Sequence, residues 1–184
     1  MFPVAVLLAA SLHAAPVPKA AVELVTNGSF EDGPDVDRWM ALDVKSTEIK
    51  GWTVTRGQID YIGPDHWTAA DGKRSLDLHG SPGLGGVKQT LKTEKGKTYT
   101  VLFKLASTPH AKPLEKGVWV EAGGSKKKFT FDAKGKTTDN MGWEKMEWEF
   151  TAAGDETELE IYSAETTDEN CGPALDAVSV KLKR

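Results

Sequence analysis

One short stretch gathers side chains suited to polar recognition. Asp65, His66 and Trp67 are consecutive, Asp71 follows, and Pro64 and Gly72 mark the stretch as a loop. A flat ring beside carboxylates and an imidazole suits a ligand that presents apolar C–H faces and many hydroxyls, as a sugar does. Trp119 is the second suggestive ring, because strand alternation puts it opposite Val118 and Val120 and on the side of Glu121. Both rings also fit an interior position, and the sequence leaves that choice open. Trp52, in a Gly-Trp pair, and Trp148, on an apolar face, are expected in the core. Asp60 and Asp77 either line a polar groove or bond to loop backbone, and the residues favour the second.

Catalytic motifs are sparse. The chain has no GxSxG elbow, no HExxH and no CxxC, so the serine-hydrolase and zinc signatures are missing. Of four His, His13 falls near the N-terminus, and His66, His79 and His110 lack ligand spacing. Gly80–Gly86 (GSPGLGG) is glycine-rich but leads into a strand-like run instead of a helix, which argues against a phosphate cradle. A glycosidase needs two carboxylates roughly 5–9.5 Å apart. Among 27 acidic residues such a pair remains open, so a small glycan-active enzyme stays as a third reading.

The elements that position these groups follow from pattern and composition. The 184 residues carry 23 basic and 27 acidic side chains, a net charge of −4, which argues against a nucleic-acid binder. Six Trp, six Phe and three Tyr supply large apolar bodies to bury, and the length suits a single domain. The lone Cys171 excludes a disulfide within the chain; it is expected as an unreactive thiol, with an intermolecular disulfide as the alternative. Met1–Ala15 reads as an export signal around the apolar run Val4–Ala10, although no Lys or Arg precedes it. The run is shorter than the ~20 residues a membrane helix needs, and no transmembrane segment is expected. The division is therefore a signal peptide over residues 1–20 and one domain over 21–184, placing the protein in a secreted, periplasmic or cell-surface location. An apolar tail without export function is the alternative.

Beyond residue 22, period-2 patterning dominates. Strand-like runs occupy Trp52–Arg56, Gln58–Ile62, Ser75–His79, Val87–Thr93, Thr98–Ala106, Gly117–Ala122, Lys127–Asp132, Trp143–Thr151, Thr157–Ser163 and Ala174–Leu182. Turn pairs such as Asp71-Gly72, Lys95-Gly96 and Gly123-Gly124 separate them. Met146, Trp148 and Phe150 share one face and Lys145, Glu147 and Glu149 the other; Leu159 and Ile161 oppose Glu158 and Glu160. Thr98–Ala106 is apolar on both faces in its middle. Lys126–Lys128 is read as the solvent-lapped start of a strand ending in Phe129 and Phe131, and Pro34–Glu48 as a long loop. The pattern predicts an all-β sandwich or barrel.

Three blocks make the reading more specific: Leu24–Asp32 (LVTNGSFED), Gly51–Gly80 with GWTVTRGQIDYI and WTAADGKRSLDLHG, and Phe129–Trp143 with Gly172–Val180 (GPALDAVSV). In this order they resemble the "domain of unknown function 642" family, whose bacterial members are called choice-of-anchor C proteins. The resemblance runs from about Leu24 to Leu182. It implies a galactose-binding-like jelly-roll β-sandwich, of which plant relatives carry two in tandem where one is read here. It also implies a structural Ca²⁺ held by Glu31 and Asp176 with the Ser29 carbonyl, a donor set suited to a hard cation. The alternative at these positions is that Asn27-Gly28 is a turn and both carboxylates cap loops. The function implied is a non-catalytic module that binds a wall or matrix polysaccharide, with His66, Trp67, Asp71, Trp119 and Asp65 as contacts. A structural or protein-interaction module of the cell surface is the alternative.

Overall fold

A computed structural model describes residues 21–80, 83–165 and 170–184; the expected signal peptide lies outside the described residues. Eleven strands follow in order: β1 Trp39–Asp43, β2 Thr53–Arg56, β3 Gln58–Ile62, β4 Ser75–Asp77, β5 Gly86–Lys92, β6 Thr98–Ser107, β7 Glu115–Ala122, β8 Ser125–Asp132, β9 Glu144–Thr151, β10 Glu156–Ser163 and β11 Pro173–Leu182. They form a six-stranded sheet in the order β1-β3-β4-β11-β6-β9 and a five-stranded sheet in the order β2-β5-β10-β7-β8. Every pairing is antiparallel. The described residues contain no helix, so none is long and apolar enough to cross a membrane.

The two sheets stack with their apolar faces inward. In β10, Leu159 and Ile161 are buried while Glu158 and Glu160 point outward, and in β7 Val118, Val120 and Ala122 are buried between the outward Trp119 and Glu121. The six-stranded sheet answers with Ile59, Tyr61, Leu76, Leu105 and Leu175, and Phe103 of β6 meets Phe129 of β8 edge-on with ring centroids 5.2 Å apart. Each such aliphatic or aromatic side chain contributes roughly 1.5–3 kcal/mol when fully removed from water. Met146, Trp148 and Phe150 pair with Phe103, Val101 and Tyr99 and turn inward together, as their alternation requires. Trp52 is core, with its ring 5.3 Å from that of Phe30. The first part of β6 alternates between buried and half-buried positions, so it is more one-sided than its composition suggests.

One element departs from the sequence reading. Within Pro34–Glu48, expected to be a loop, β1 pairs with β3 from Trp39 to Asp43. It is an edge strand of five residues in which Leu42 alone is fully buried, so it has too few inward side chains to announce its period.

The N-terminal segment is tied to the last strand by a close backbone approach. Val178 N–H donates to the Gly28 carbonyl at 2.9 Å. A Cβ on Gly28 would sit 1.9 Å from the Val178 carbonyl oxygen, so no larger residue fits. Opposite Gly28, the pairing of β11 with β6 shifts register between Asp176 and Ser179, and Ala177 has φ 50° there.

Candidate functional site

The outward face of the six-stranded sheet carries an unusual cross-strand pair. Asp60 of β3 and Asp77 of β4 stand directly opposite each other, and strand parity aims both away from the core. Like charges so placed repel unless protons or partners intervene. Asp77 is 4% exposed and accepts three bonds: from His79 N–H at 2.9 Å, Gly172 N–H at 2.8 Å and Thr108 Oγ1 at 3.0 Å. Burial nevertheless pushes its carboxyl up to about 7; these donors oppose the rise and neighbouring Asp60 adds to it. Asp60 is half-buried, its Oδ1 is sealed from water with no hydrogen-bond partner among the described residues, and burial raises it to about 6. Backbone bonding, the expectation for both residues, therefore describes Asp77 and leaves Asp60 with a bare acceptor.

These two carboxylates form one side of a cavity of about 320 Å³. Trp39, at the start of β1, forms another side with 52% of its surface exposed, and among the described residues His66, Thr108, Asn170 and Cys171 also line it. His66 reaches the cavity because its loop is laid along the segment before β1: Gly63 N–H donates to the Arg38 carbonyl at 2.7 Å and Asp65 N–H to the Asp37 carbonyl at 2.9 Å. Burial lowers the His66 pKa, with Arg38 and His110 acting in the same direction, which favours the neutral ring. Its Nδ1 has no partner among the described residues. Gly172 is required where it closes the site, because a Cβ there would lie 2.6 Å from Asp77 Oδ1.

Of the contacts expected from sequence, only His66 lines this cavity. Trp67 is 3% exposed, so it is a core ring and not a sugar platform. Its Nε1 donates to Ser75 Oγ at 2.7 Å, and its ring lies 5.0 Å from that of His66, which makes it the brace of the loop. Asp65 is exposed on the same loop. Trp119 lies on the opposite sheet, half-buried, with Tyr162 and Lys128 as its cross-strand neighbours and the Lys126 ammonium 4.8 Å above its ring. Tyr162 in turn lies under Arg56, whose guanidinium stands 3.7 Å from the ring centroid and pairs with Glu160. Sequence reasoning passed over Trp39, because its segment lacked a period, and over Thr108 and Asn170, which no motif marks.

Asp71 belongs to a second cluster that joins distant parts of the chain. Asp176 Oδ2 accepts from the backbone N–H groups of Ala70 (2.8 Å) and Asp71 (2.9 Å), and Oδ1 accepts from Ala177 N–H at 2.5 Å. Glu31 Oε1 accepts from Lys73 and Arg74 N–H at 2.8 and 2.7 Å, and Ser29 Oγ donates to Asp71 Oδ2 at 2.6 Å. Glu31 and Asp176 thus clamp the single loop 70–74 onto both chain ends. Asp176 is fully buried without a cationic partner among the described residues, and burial raises its carboxyl to about 7. Phe30 (φ 60°) and Ala177 (φ 50°), each adjacent to one of these carboxylates, hold left-handed backbone, a strain that is kept only where surrounding structure enforces it. Among the described residues no group of three or more His, Cys, Asp and Glu side chains is arranged to hold a metal ion.

A larger cavity, about 490 Å³, lies between the segment before β1 and the end of β11, with Val22, Leu24, Tyr99 and Leu182 on its apolar side and Lys92, Thr93, Glu94 and Arg184 on its polar side. The smaller pocket, with an exposed ring, orphaned polar atoms and shifted carboxyls, has the stronger character of a ligand site.

Comparison with known proteins gives the same architecture. The chain is 14% identical to TmCBM61, solved in complex with β-1,4-galactotriose, with TM-score 0.53 over 89% of this chain and 100% of that one. It is 10% identical to a family 35 carbohydrate-binding module from Clostridium thermocellum, with TM-score 0.52 over 77% of this chain and 97% of the other. A segment covering 26% of the arabinose-bound α-L-arabinofuranosidase MgGH51 also matches, with 11% identity and TM-score 0.56 over 87% of this chain. Likeness at these identities establishes the sandwich fold. Among sequence relatives, the Arabidopsis thaliana protein DUF642 L-galactono-1,4-lactone-responsive gene 2 is 28% identical over 172 residues, 86% of this chain and 42% of that protein. Halomucin of Haloquadratum walsbyi is 38% identical over 86 residues, 44% of this chain and 1% of halomucin. The chain thus spans less than half the length of either relative. A family model covers residues 23–181, nearly the whole β-sandwich, and the chain belongs to that family, described as protein of unknown function (DUF642).

Proposed function

We propose that this chain is an exported, non-catalytic carbohydrate-binding module whose ligand is a wall or matrix polysaccharide, held in the pocket beside Trp39. The observation that carries the reading is the cavity of about 320 Å³ that sets a half-exposed indole beside Asp60, with its unpartnered carboxylate oxygen. The ring offers a flat surface to the C–H face of a pyranose, and the Asp60 carboxylate and the His66 imidazole line the same cavity as hydrogen-bonding groups for its hydroxyls. The fold is that of carbohydrate-binding modules, one of them solved with a galactose trimer bound. The non-catalytic part of the reading is supported by Asp77, whose deep burial and three donors fix it in place and remove it from a reacting bond. Trp119 supplies a second, half-buried aromatic surface, which a long polysaccharide would meet only after displacing Lys126. A glycan array followed by isothermal titration tests the reading. Saturable binding of a cellulosic, pectic or galactose-rich glycan without release of reducing ends is expected; turnover of the glycan, or no binding to any of them, would overturn it.

The reading includes a structural calcium ion at the second cluster, held by Glu31, Asp176 and the Ser29 carbonyl. In donor type, though without a ready-made cluster among the described residues, the set suits a hard cation: Glu31 Oε2 and one lone pair of Asp176 Oδ1 are left after the backbone bonds are counted. The ion would neutralise the buried Asp176 and fasten the N-terminal segment to β11.

A further inference from the structure

The pocket beside Trp39 is negatively charged in a way that a neutral sugar does not answer. Two carboxylates face each other across β3 and β4, and no Lys or Arg forms an ion pair with either among the described residues. Protons substitute for a counter-ion: burial raises Asp60 to about 6 and Asp77 to about 7, with Asp60 itself contributing to the second shift. The half-exposed face of Trp39 lines the same cavity. An indole face and carboxylates around one space attract a cation from both sides, the ring through its quadrupole and the acids through charge-assisted hydrogen bonds.

We infer that this pocket selects an amino sugar, whose protonated amine sits between the Trp39 ring and the Asp60–Asp77 pair while its pyranose face lies on the indole. The inference rests on the sugar-binding reading above and names the class of sugar. An ammonium donates three hydrogen bonds and meets the half-buried Asp60 carboxylate, whose bare Oδ1 is satisfied once the group turns that oxygen toward the cavity. Acetylating that amine removes the charge and enlarges the group. The other titratable groups near the pair support this choice. Burial, with Arg38 and His110 acting in the same direction, lowers the His66 pKa and so favours the neutral ring, which limits its repulsion of a cationic ligand. His79 is buried, with its Nε2 2.6 Å from Ser163 Oγ. Cys171 lines the same cavity.

Binding such a ligand favours the ionised form of these carboxyls and releases protons from them, which gives the inference a signature beyond affinity. Titration calorimetry of the whole chain with a glucosamine oligomer at pH 6, in buffers of different ionisation enthalpy, should show net proton release. Its N-acetylated counterpart should release none and bind about tenfold or more weakly, roughly the value of one good charge-assisted contact. Affinity for the amine-bearing oligomer should rise above pH 5 as the pair ionises and fall again once the ligand's own amine loses its proton. Asp60→Asn should abolish most of the preference for the amine-bearing oligomer over its acetylated counterpart and, with it, the net proton release. Asp77 is left intact, because its three donors make it structural. Equal affinity for the two oligomers, or a preference that survives Asp60→Asn, would overturn the inference while leaving the sugar reading in place if binding still needs Trp39. Equally tight binding of a lysine peptide, or Asp60-dependent binding of calcium alone, would also overturn it. If neither oligomer nor any neutral glycan binds, both readings fail.

Discussion

Replacing Asp60 by Asn removes a carboxylate that the fold leaves unsatisfied, and the consequence for stability can be worked out with its sign. Burial raises this carboxyl from 3.8 to about 6 in the folded protein, so between those values the folded state binds more protons than the unfolded one. Stability from this group is fully present below about pH 4 and is lost as pH rises through about 6. The full shift corresponds to ~3 kcal/mol. Asp60 is only half-buried, and partial access to water reduces the net effect to ~1–2 kcal/mol. Asp77 adds to the effect in the same direction, because removing the Asp60 charge lowers the neighbouring carboxyl too. Asp60→Asn should therefore match the parent near pH 4 and exceed it by ~1–2 kcal/mol at pH 7.5. Urea denaturation at both pH values, read from midpoints at constant m, measures the difference. A difference independent of pH, or a loss of stability at pH 7.5, would refute the idea that the pocket holds an uncompensated charge.

Other expectations follow from the packing. Gly28→Ala should cost ~2–4 kcal/mol in thermal or urea unfolding, since the new Cβ would lie 1.9 Å from a backbone oxygen of β11 that cannot move without breaking the sheet. Trp67→Ala should cost ~3–5 kcal/mol, the range for a buried large aromatic, and proteolysis within residues 63–74 should quicken as the loop loses its brace. After chelator treatment, calcium at 100 times its Kd should stabilise the chain by ~2.7 kcal/mol, read as a rise in Tm, and Asp176→Asn should abolish the rise. No calcium-dependent rise would remove the ion from the account and leave Glu31 and Asp176 as loop clamps.

Strands with a strong period were legible before any coordinates. Met146-x-Trp148-x-Phe150 and Leu159-x-Ile161 announce their inward faces because three or two large residues recur at spacing two with charges between them. β1 hid because an edge strand with one buried residue carries almost no period. The site was harder for a different reason: its residues meet through pairing. Asp60 and Asp77 become neighbours only when β3 and β4 align, and Trp39 joins them through the β1–β3 register. Composition also misled. Asp65-His66-Trp67 looked like a site, but its indole turns under the loop while only His66 faces the cavity. In the same way, Ser29, Asp71 and Asp176 are scattered along the chain yet bonded in the fold. The family resemblance pointed to Glu31, Ser29 and Asp176 as a group, which their spacing alone does not.

The central claim is that Trp39 forms the wall of a sugar pocket. Isothermal titration of the best glycan from an array against the parent and Trp39→Ala tests it most directly. Because the ring is half-exposed and braces little of the core, the variant should keep its Tm within about 2 °C, as surface substitutions do. It should lose glycan affinity by about tenfold or more, the scale of a stacked ring in a binding site. Unchanged affinity in a folded Trp39→Ala protein would contradict the account.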